Sequence, residues 1–307
     1  MITLNGTKIK FKTFPNGESF ADIDRKTVNP MKNSNTILFE FESDKDIFSL
    51  MCIKDFVDEN WPAVPCHLIM PYIPYSRMDR AEEQRLFTLK SFTKLINSLN
   101  FTTVTVWEPH SDVSPALINR VRVINKSSYL AILVMRKEIE GVFLSSPNSF
   151  PSSLSTSLYI SESEKEKGKE KGIYFVFPDA GAEKRYSKQI KYPNIITCSK
   201  TRDFETGEIK KIELNGYEKA QDCRVAIIVD DLCSRGGTFV STAAQLREFL
   251  PHLEKIILCV THCENTIYEG SVLSGKEIDE VYTTDSIVKE RKGERKFQCD
   301  KMKIVKE

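Results

Sequence analysis

The chain has 307 residues, 40% of them hydrophobic, enough to fill the cores of two domains of ordinary size. Its 44 Lys and Arg stand against 43 Asp and Glu, and a net charge of +1 gives no global field for nucleic acid or a membrane surface, so any affinity for phosphate has to be local. No basic-then-apolar leader opens the sequence and no apolar run approaches the roughly 20 residues that span a bilayer, so a cytoplasmic protein is expected.

Strand-like runs alternate with helical patterns along the chain, the signature of βαβ units. In a first lobe, residues 36–41, 66–73, 103–107 and 121–124 read as strands, and 46–59 and 86–99 as helices with apolar residues three and four apart. A helix over 129–139 joins a second lobe, whose strands are expected at 174–177, 195–198, 225–229, 256–260 and 280–282. Residues 145–171 are first Ser- and Pro-rich and then a run of alternating charge, with too little apolar content to offset ordering entropy, and are predicted to be a mobile surface insertion. The lobes are expected at 1–126 and 127–307. The eight cysteines are scattered and read as reduced thiols, and Cys259, His262 and Cys263 lack the second pair that a zinc clamp needs.

The most informative stretch is residues 225–239, an apolar run that ends on Asp230 and Asp231 and is followed by Ser234, Arg235, Gly236, Gly237 and Thr238 at the head of an amphipathic helix, 238–250. Ligands of open parallel sheets bind beyond the carboxyl ends of strands. Paired carboxylates accept hydrogen bonds from vicinal ribose hydroxyls, and glycines let backbone N–H groups close around a phosphate at a helix start. The competing reading is a plain strand-to-helix turn with solvated acids.

This stretch resembles the loop that binds phosphoribosyl diphosphate (PRPP) in the enzymes that make or use it. Four further segments resemble the ribose-phosphate pyrophosphokinase (PRPP synthetase) family in the family's own order. They are Phe14-Pro15-Asn16-Gly17-Glu18, the run from Pro71 through Arg77 to Arg80, Glu108-Pro109-His110-Ser111, and the run from Pro178 and Asp179 to Arg185. The resemblance implies an α/β fold of two tandem phosphoribosyltransferase-like lobes, each a mostly parallel sheet flanked by helices. It implies an ATP pyrophosphokinase that transfers a diphosphoryl group from ATP, its co-substrate, to a 5-phosphorylated ribose with Mg²⁺. Residue by residue, Lys200 and Arg202 match the Lys-x-Arg of the family's flexible catalytic loop, and His110 and Asp179 match positions that hold ATP-bound Mg²⁺. Asp230, Asp231 and Ser234 to Thr238 match the ribose-phosphate site, and Phe14, Asn16, Glu18 and Arg77 match ATP contacts. The Phe14 segment crosses a subunit interface in the family, which implies a homo-oligomer; the other partners are small-molecule substrates, with neither nucleic acid nor membrane.

The chain departs from the family at several points. Met78 stands for Gln, Glu108 for Asp, and the unit before the Phe14 segment is almost absent. In the loop, Ser234-Arg235 stands where the family has Asp-Thr. An added Arg pairs bidentately with a second phosphate, which makes ADP-ribose, in NAD metabolism, the alternative acceptor to ribose 5-phosphate; the competing reading is an Arg turned outward or paired with a neighbour. Two other classes stay open, a phosphoribosyltransferase and a non-catalytic relative of the synthetases. Retention of Lys200, Arg202, His110 and Asp179 argues against the second.

Overall fold

A computed structural model describes residues 1–23, 28, 33–81, 86–141, 159–202, 209–289 and 299–306, with backbone alone at 200–202 and 209–211. The chain divides into two compact units, Met1–Ile124 and Asn125–Glu307.

In the first unit, β1 (Ile2–Leu4) and β2 (Thr7–Lys8) form one hairpin, and β3 (Lys10–Thr13) and β4 (Ser19–Asp22) form another that stands as its own two-stranded sheet. The chain continues through β5 (Asn35–Phe39), α1 (Lys45–Asn60), β6 (Cys66–Met70), α2 (Thr88–Ser98), β7 (Thr103–Trp107), α3 (Val113–Leu117) and β8 (Val121–Ile124). The six-stranded sheet runs β2-β1-β5-β6-β7-β8, parallel from β5 to β8 and antiparallel at β1 and β2. Period-two alternation buries Ile37, Phe39, Leu68, Met70, Val104 and Val106, which share one core with Leu50, Ile53 and Val57 of α1 and Leu89, Phe92 and Ile96 of α2.

The second unit carries α4 (Lys126–Glu140), α5 (Glu162–Glu170), β9 (Ile173–Phe177), α6 (Ala180–Tyr186), β10 (Ile195–Arg202) and β11 (Ile209–Asn215). After these come β12 (Val225–Cys233), α7 (Gly237–Phe249), β13 (Lys255–Cys263), β14 (Glu280–Thr284) and β15 (Met302–Val305). The seven-stranded sheet runs β11-β10-β9-β12-β13-β14-β15 and is parallel except at β11. It is covered on both faces, which is why its strands read as unbroken apolar runs. Ala226, Ile228 and Leu258 pack with Phe239, Ala243 and Leu246 of α7, while Ile227, Val229 and Ile257 pack with α4 and with Tyr186 of α6.

The alternating-charge run is a helix, α5, and not the loop predicted from its composition. Ser161 and Glu164 make a reciprocal capping box, and Arg136 of α4 donates from Nε to Glu164 Oε1 at 2.7 Å. Capping and one tertiary ion pair supply what an apolar face does not. Of the predicted insertion, residues 145–158 lie outside the described residues. Among the described residues, no helix is long and apolar enough to cross a membrane.

Candidate functional site

In the second unit β9 pairs in parallel with both β10 and β12, so the chain leaves β9 toward one side of the sheet and later returns on the other. The strand order reverses between β9 and β12, and crevices of open parallel sheets form at the carboxyl ends of such a pair. Asp179 follows β9, and the Asp230–Thr238 segment closes β12 and opens α7. The two motifs, about 50 residues apart in sequence, therefore flank one switch point.

Asp230 and Asp231 were expected beyond the end of a strand, but β12 continues through both to Cys233, held by pairs from Asp230↔Val260 to Cys233↔Cys263. Alternation puts Asp231 on the face that carries Ile227 and Val229, where Arg185 of α6 reaches its carboxylate at 3.8 Å. Asp231 is buried, and its N–H donates to Asp230 Oδ1 at 2.9 Å. Burial raises the Asp230 carboxyl well above the usual range, and the negative charges of Asp231 and Asp179 raise it further. Asp179 is the N-cap of α6, its Oδ1 accepting from Ala182 N–H at 2.9 Å, so one oxygen of this carboxylate is committed to a helix start.

A residue that sequence reasoning missed sits directly behind the acid pair. Ser127, buried in the first turn of α4, donates from Oγ to the carbonyl of Asp230 at 2.7 Å and accepts from the N–H of Thr261 at 3.0 Å. Its hydroxyl stands between β12 and β13 at the point where the register passes from Asp230↔Val260 to Leu232↔His262.

Downstream, Gly236 takes the left-handed conformation (φ 76°, ψ 17°) that turns the chain from strand to helix, and its carbonyl accepts from Phe239 and Val240 at 3.0 and 3.1 Å. Gly237 and Thr238 then supply first-turn N–H groups of the kind that bind anions. Ser234 Oγ is 3.0 Å from Thr266 Oγ1, and the exposed Arg235 guanidinium donates to Glu269 at 3.0 Å.

Lys200 and Arg202, expected in a loop, belong to β10, which pairs antiparallel with β11 through Lys200↔Ile212 and Arg202↔Ile209, with an irregularity between Thr201 and Arg202. The polar sequence hid this because the ladder to β11 supplies pairing that side-chain character does not announce. Residues 203–208 between these strands lie outside the described residues.

In the first unit, Phe14, Asn16 and Glu18 form the tip of the β3–β4 hairpin, closed by Phe14 N–H to Glu18 O at 2.7 Å, Gly17 N–H to Phe14 O at 2.8 Å and Glu18 N–H to Asn16 Oδ1 at 3.2 Å. Phe14 stacks on Phe20 with centroids 5.5 Å apart, and both, with Phe48, Lys45 and Glu18, line an open depression of about 520 Å³. Arg77 is exposed in the turn after β6, and half-buried His110 lies after β7. Because Trp107 N–H bonds Pro71 O at 3.2 Å, the two turns start side by side at the carboxyl ends of β6 and β7. Glu108, before the histidine, is fully buried with a left-handed backbone (φ 37°), a strained conformation for a residue with a Cβ.

Among the described residues, no group of three or more His, Cys, Asp and Glu side chains is arranged to hold a metal ion by itself. A cation such as Mg²⁺ needs no such group, since it is usually taken by one or two protein ligands together with substrate phosphates. Asp179, Asp230 and Asp231 lie near enough to influence one another, with Arg185 against Asp231, and are the acids such an ion would meet in the second unit.

The fold is an open, mostly parallel α/β sheet in each unit, with an acid-loop-helix segment at the switch point of the second. No family model matches the chain. The chain is 25% identical over 288 residues to the ribose-phosphate pyrophosphokinase of Sulfolobus acidocaldarius, spanning 91% of this chain and 84% of that one. It is 26% identical over 294 residues, with the same coverage, to that of Sulfurisphaera tokodaii. In three dimensions it resembles phosphoribosylpyrophosphate synthetase from Mycobacterium smegmatis, with a TM-score of 0.68 at 15% identity over 97% of this chain and 86% of the other. The fold is that of the synthetase, and over most of its length the chain is similar in sequence to curated ribose-phosphate pyrophosphokinases.

Proposed function

We propose that this chain transfers the diphosphoryl group of ATP to the anomeric hydroxyl of ribose 5-phosphate, giving AMP and PRPP, with Mg²⁺ required. The observation that carries the reading is the order at the switch point: paired acids in β12, a left-handed glycine, then the amino terminus of α7. In the transfer, O1 of the ribose bonds to the β-phosphorus while the bond from that phosphorus to the oxygen bridging to the α-phosphate breaks; AMP leaves with the electron pair and the anomeric proton passes to solvent.

The N–H groups of Gly236, Gly237 and Thr238, with the Ser234 and Thr238 hydroxyls, take the 5-phosphate, and the α7 dipole adds to their pull. Asp230 and Asp231 accept hydrogen bonds from the vicinal hydroxyls, which fixes the ring and aims O1. Lys200 and Arg202 meet the charge that grows on the transferring group. Phe14, Asn16 and Glu18, on a neighbouring copy, and Arg77 are assigned to ATP; the exposure of Phe14, at 52%, supports a role outside its own unit's core. His110 and Asp179 would hold Mg²⁺, which when bound supplies neutralisation of the phosphate charge. Arg235 has an anionic partner in Glu269, so its presence in the loop does not by itself call for a second phosphate on the acceptor.

Incubation with ATP, Mg²⁺ and ribose 5-phosphate should release AMP and PRPP in equal amounts. Release of ADP, or consumption of added PRPP with a base and no ATP turnover, would overturn the reading.

A further inference from the structure

Gly270 has an ordinary extended backbone (φ −97°, ψ −176°) that any residue adopts, so conformation does not explain a glycine there. Space does. A Cβ at this position would lie 2.0 Å from the carbonyl oxygen of Arg235 and 2.8 Å from its carbonyl carbon, so backbone packs directly on the backbone of the phosphate loop. The same segment meets the loop at every step. Glu264 N–H donates to Cys233 O at 2.8 Å, Thr266 Oγ1 lies 3.0 Å from Ser234 Oγ, and Glu269 pairs with Arg235 at 3.0 Å. A Cβ at Gly236 would meet Val272 Cγ2 at 2.1 Å. Ile267 and Val272 root the segment in the core beneath α7.

From this geometry we infer that the Glu264–Val272 segment is a brace for the phosphate loop, with Gly270 and Thr266 as positioning residues for acceptor binding. The inference rests on the proposed function only for the identity of the acceptor. Neither residue is assigned to a substrate; each acts through Ser234, Arg235 and Gly236. The contact at Gly270 is backbone on backbone, so an added methyl cannot be met by a side-chain rotation and must displace the loop or the brace. The first-turn N–H groups of α7 then lose their common focus on the 5-phosphate, while ATP contacts elsewhere stay as they are.

The test uses the full chain. Gly270→Ala should raise KM for ribose 5-phosphate tenfold or more with KM for ATP within twofold of wild type, and should weaken ribose 5-phosphate binding by calorimetry to a similar degree. Thr266→Val should do the same to a smaller extent, and Thr266→Ser, which restores the hydroxyl, should recover wild-type values; this pair decides the matter if Gly270→Ala does not fold. Wild-type ribose 5-phosphate affinity in both Gly270→Ala and Thr266→Val overturns the brace, as does an equal loss for both substrates. If the wild-type chain binds ribose 5-phosphate and loses it on Gly270→Ala but releases no AMP from ATP, the brace stands and the proposed reaction falls.

Discussion

Ser127→Ala removes one oxygen from the seam between β12 and β13, and its cost follows from what that oxygen touches. The hydroxyl donates to Asp230 O at 2.7 Å, accepts from Thr261 N–H at 3.0 Å and lies 2.7 Å from Thr261 Oγ1, all in buried surroundings. Alanine leaves a buried N–H and a buried carbonyl without this bridge, and each such lost partner costs about 1–3 kcal/mol. Partial closure of the ladder recovers some of this, so a loss of about 2–4 kcal/mol is expected. Closure has a second consequence, because it moves Asp230 and Asp231 toward β13, and KM for the ribose acceptor should rise. Stability is read from urea unfolding followed by circular dichroism, and the local effect from amide exchange at Thr261, which should accelerate more than exchange in β6 or β7. A double-mutant cycle with Thr261→Val should show a coupling of at least about 0.5 kcal/mol, since the two hydroxyls are in contact. A stability loss below about 0.5 kcal/mol with unchanged exchange at Thr261 would refute the bridge.

Lys200→Ala and Arg202→Ala should each lower kcat on the order of 10²- to 10³-fold with modest change in KM, as expected for donors that act on the transition state; wild-type turnover in either would remove them from the mechanism. Asp231→Asn should weaken acceptor binding more than ATP binding, by roughly 1.5–3 kcal/mol, and an equal loss for both would point to the fold or the metal instead. Arg235→Thr should leave KM for ribose 5-phosphate within about fivefold of wild type, because an exposed ion pair contributes at most about 1 kcal/mol; a selective loss of ADP-ribose turnover in steady-state assays would instead revive the diphosphate acceptor. Burial pushes the Glu280 carboxyl up, but hydrogen bonds from Lys255, Lys137 and Tyr282 outweigh it and hold it at about 2 against 4.5 in the unfolded chain. A depressed carboxyl stabilises above its unfolded value and loses that contribution as pH falls, so about 1–2 kcal/mol, after allowance for screening, should disappear between pH 4.5 and 2 in wild type and be missing from Glu280→Gln.

The acid pair, the glycine turn and the helix after it were legible because each is a local consequence of residue type: β-branched residues for a covered strand, Gly for a left-handed turn, amphipathic spacing for α7. Strand ends were less legible. The expected limits fell at Val229 and Cys198, where the sequence turns polar, whereas pairing with β13 carries β12 on to Cys233 and pairing with β11 carries β10 on to Arg202. The charged helix α5 was missed because composition was weighed above its capping box, although Ser161 and Glu164 stand at the required spacing. Ser127, Glu269 and Gly270 gave no signal at all. Their partners lie far off in sequence, 103 residues for Ser127 with Asp230 and 34 for Arg235 with Glu269, and a lone Ser or Gly has nothing local to mark it.

The loop's departure from the family pattern it resembles bears on the proposed chemistry through a balance of charges. Ser234-Arg235, where the pattern this loop resembles has Asp-Thr, removes one negative charge beside the proposed phosphate site and adds one positive, which on sequence alone argues for a second phosphate on the acceptor. Glu269 returns a negative charge to the Arg235 guanidinium at 3.0 Å, so the loop offers an incoming anion mainly backbone N–H groups and the helix dipole. That pair is exposed at both ends and contributes at most about 1 kcal/mol, a factor of about five in occupancy. A guanidinium held so weakly can be drawn away by a diphosphate at a favourable angle. The backbone at Arg235 cannot follow as easily, because Gly270 packs against its carbonyl and Gly236 turns the chain immediately after it. If the loop takes the acceptor's phosphates as proposed, specificity at this position turns on side-chain electrostatics, whereas affinity for the first phosphate turns on a backbone held from behind.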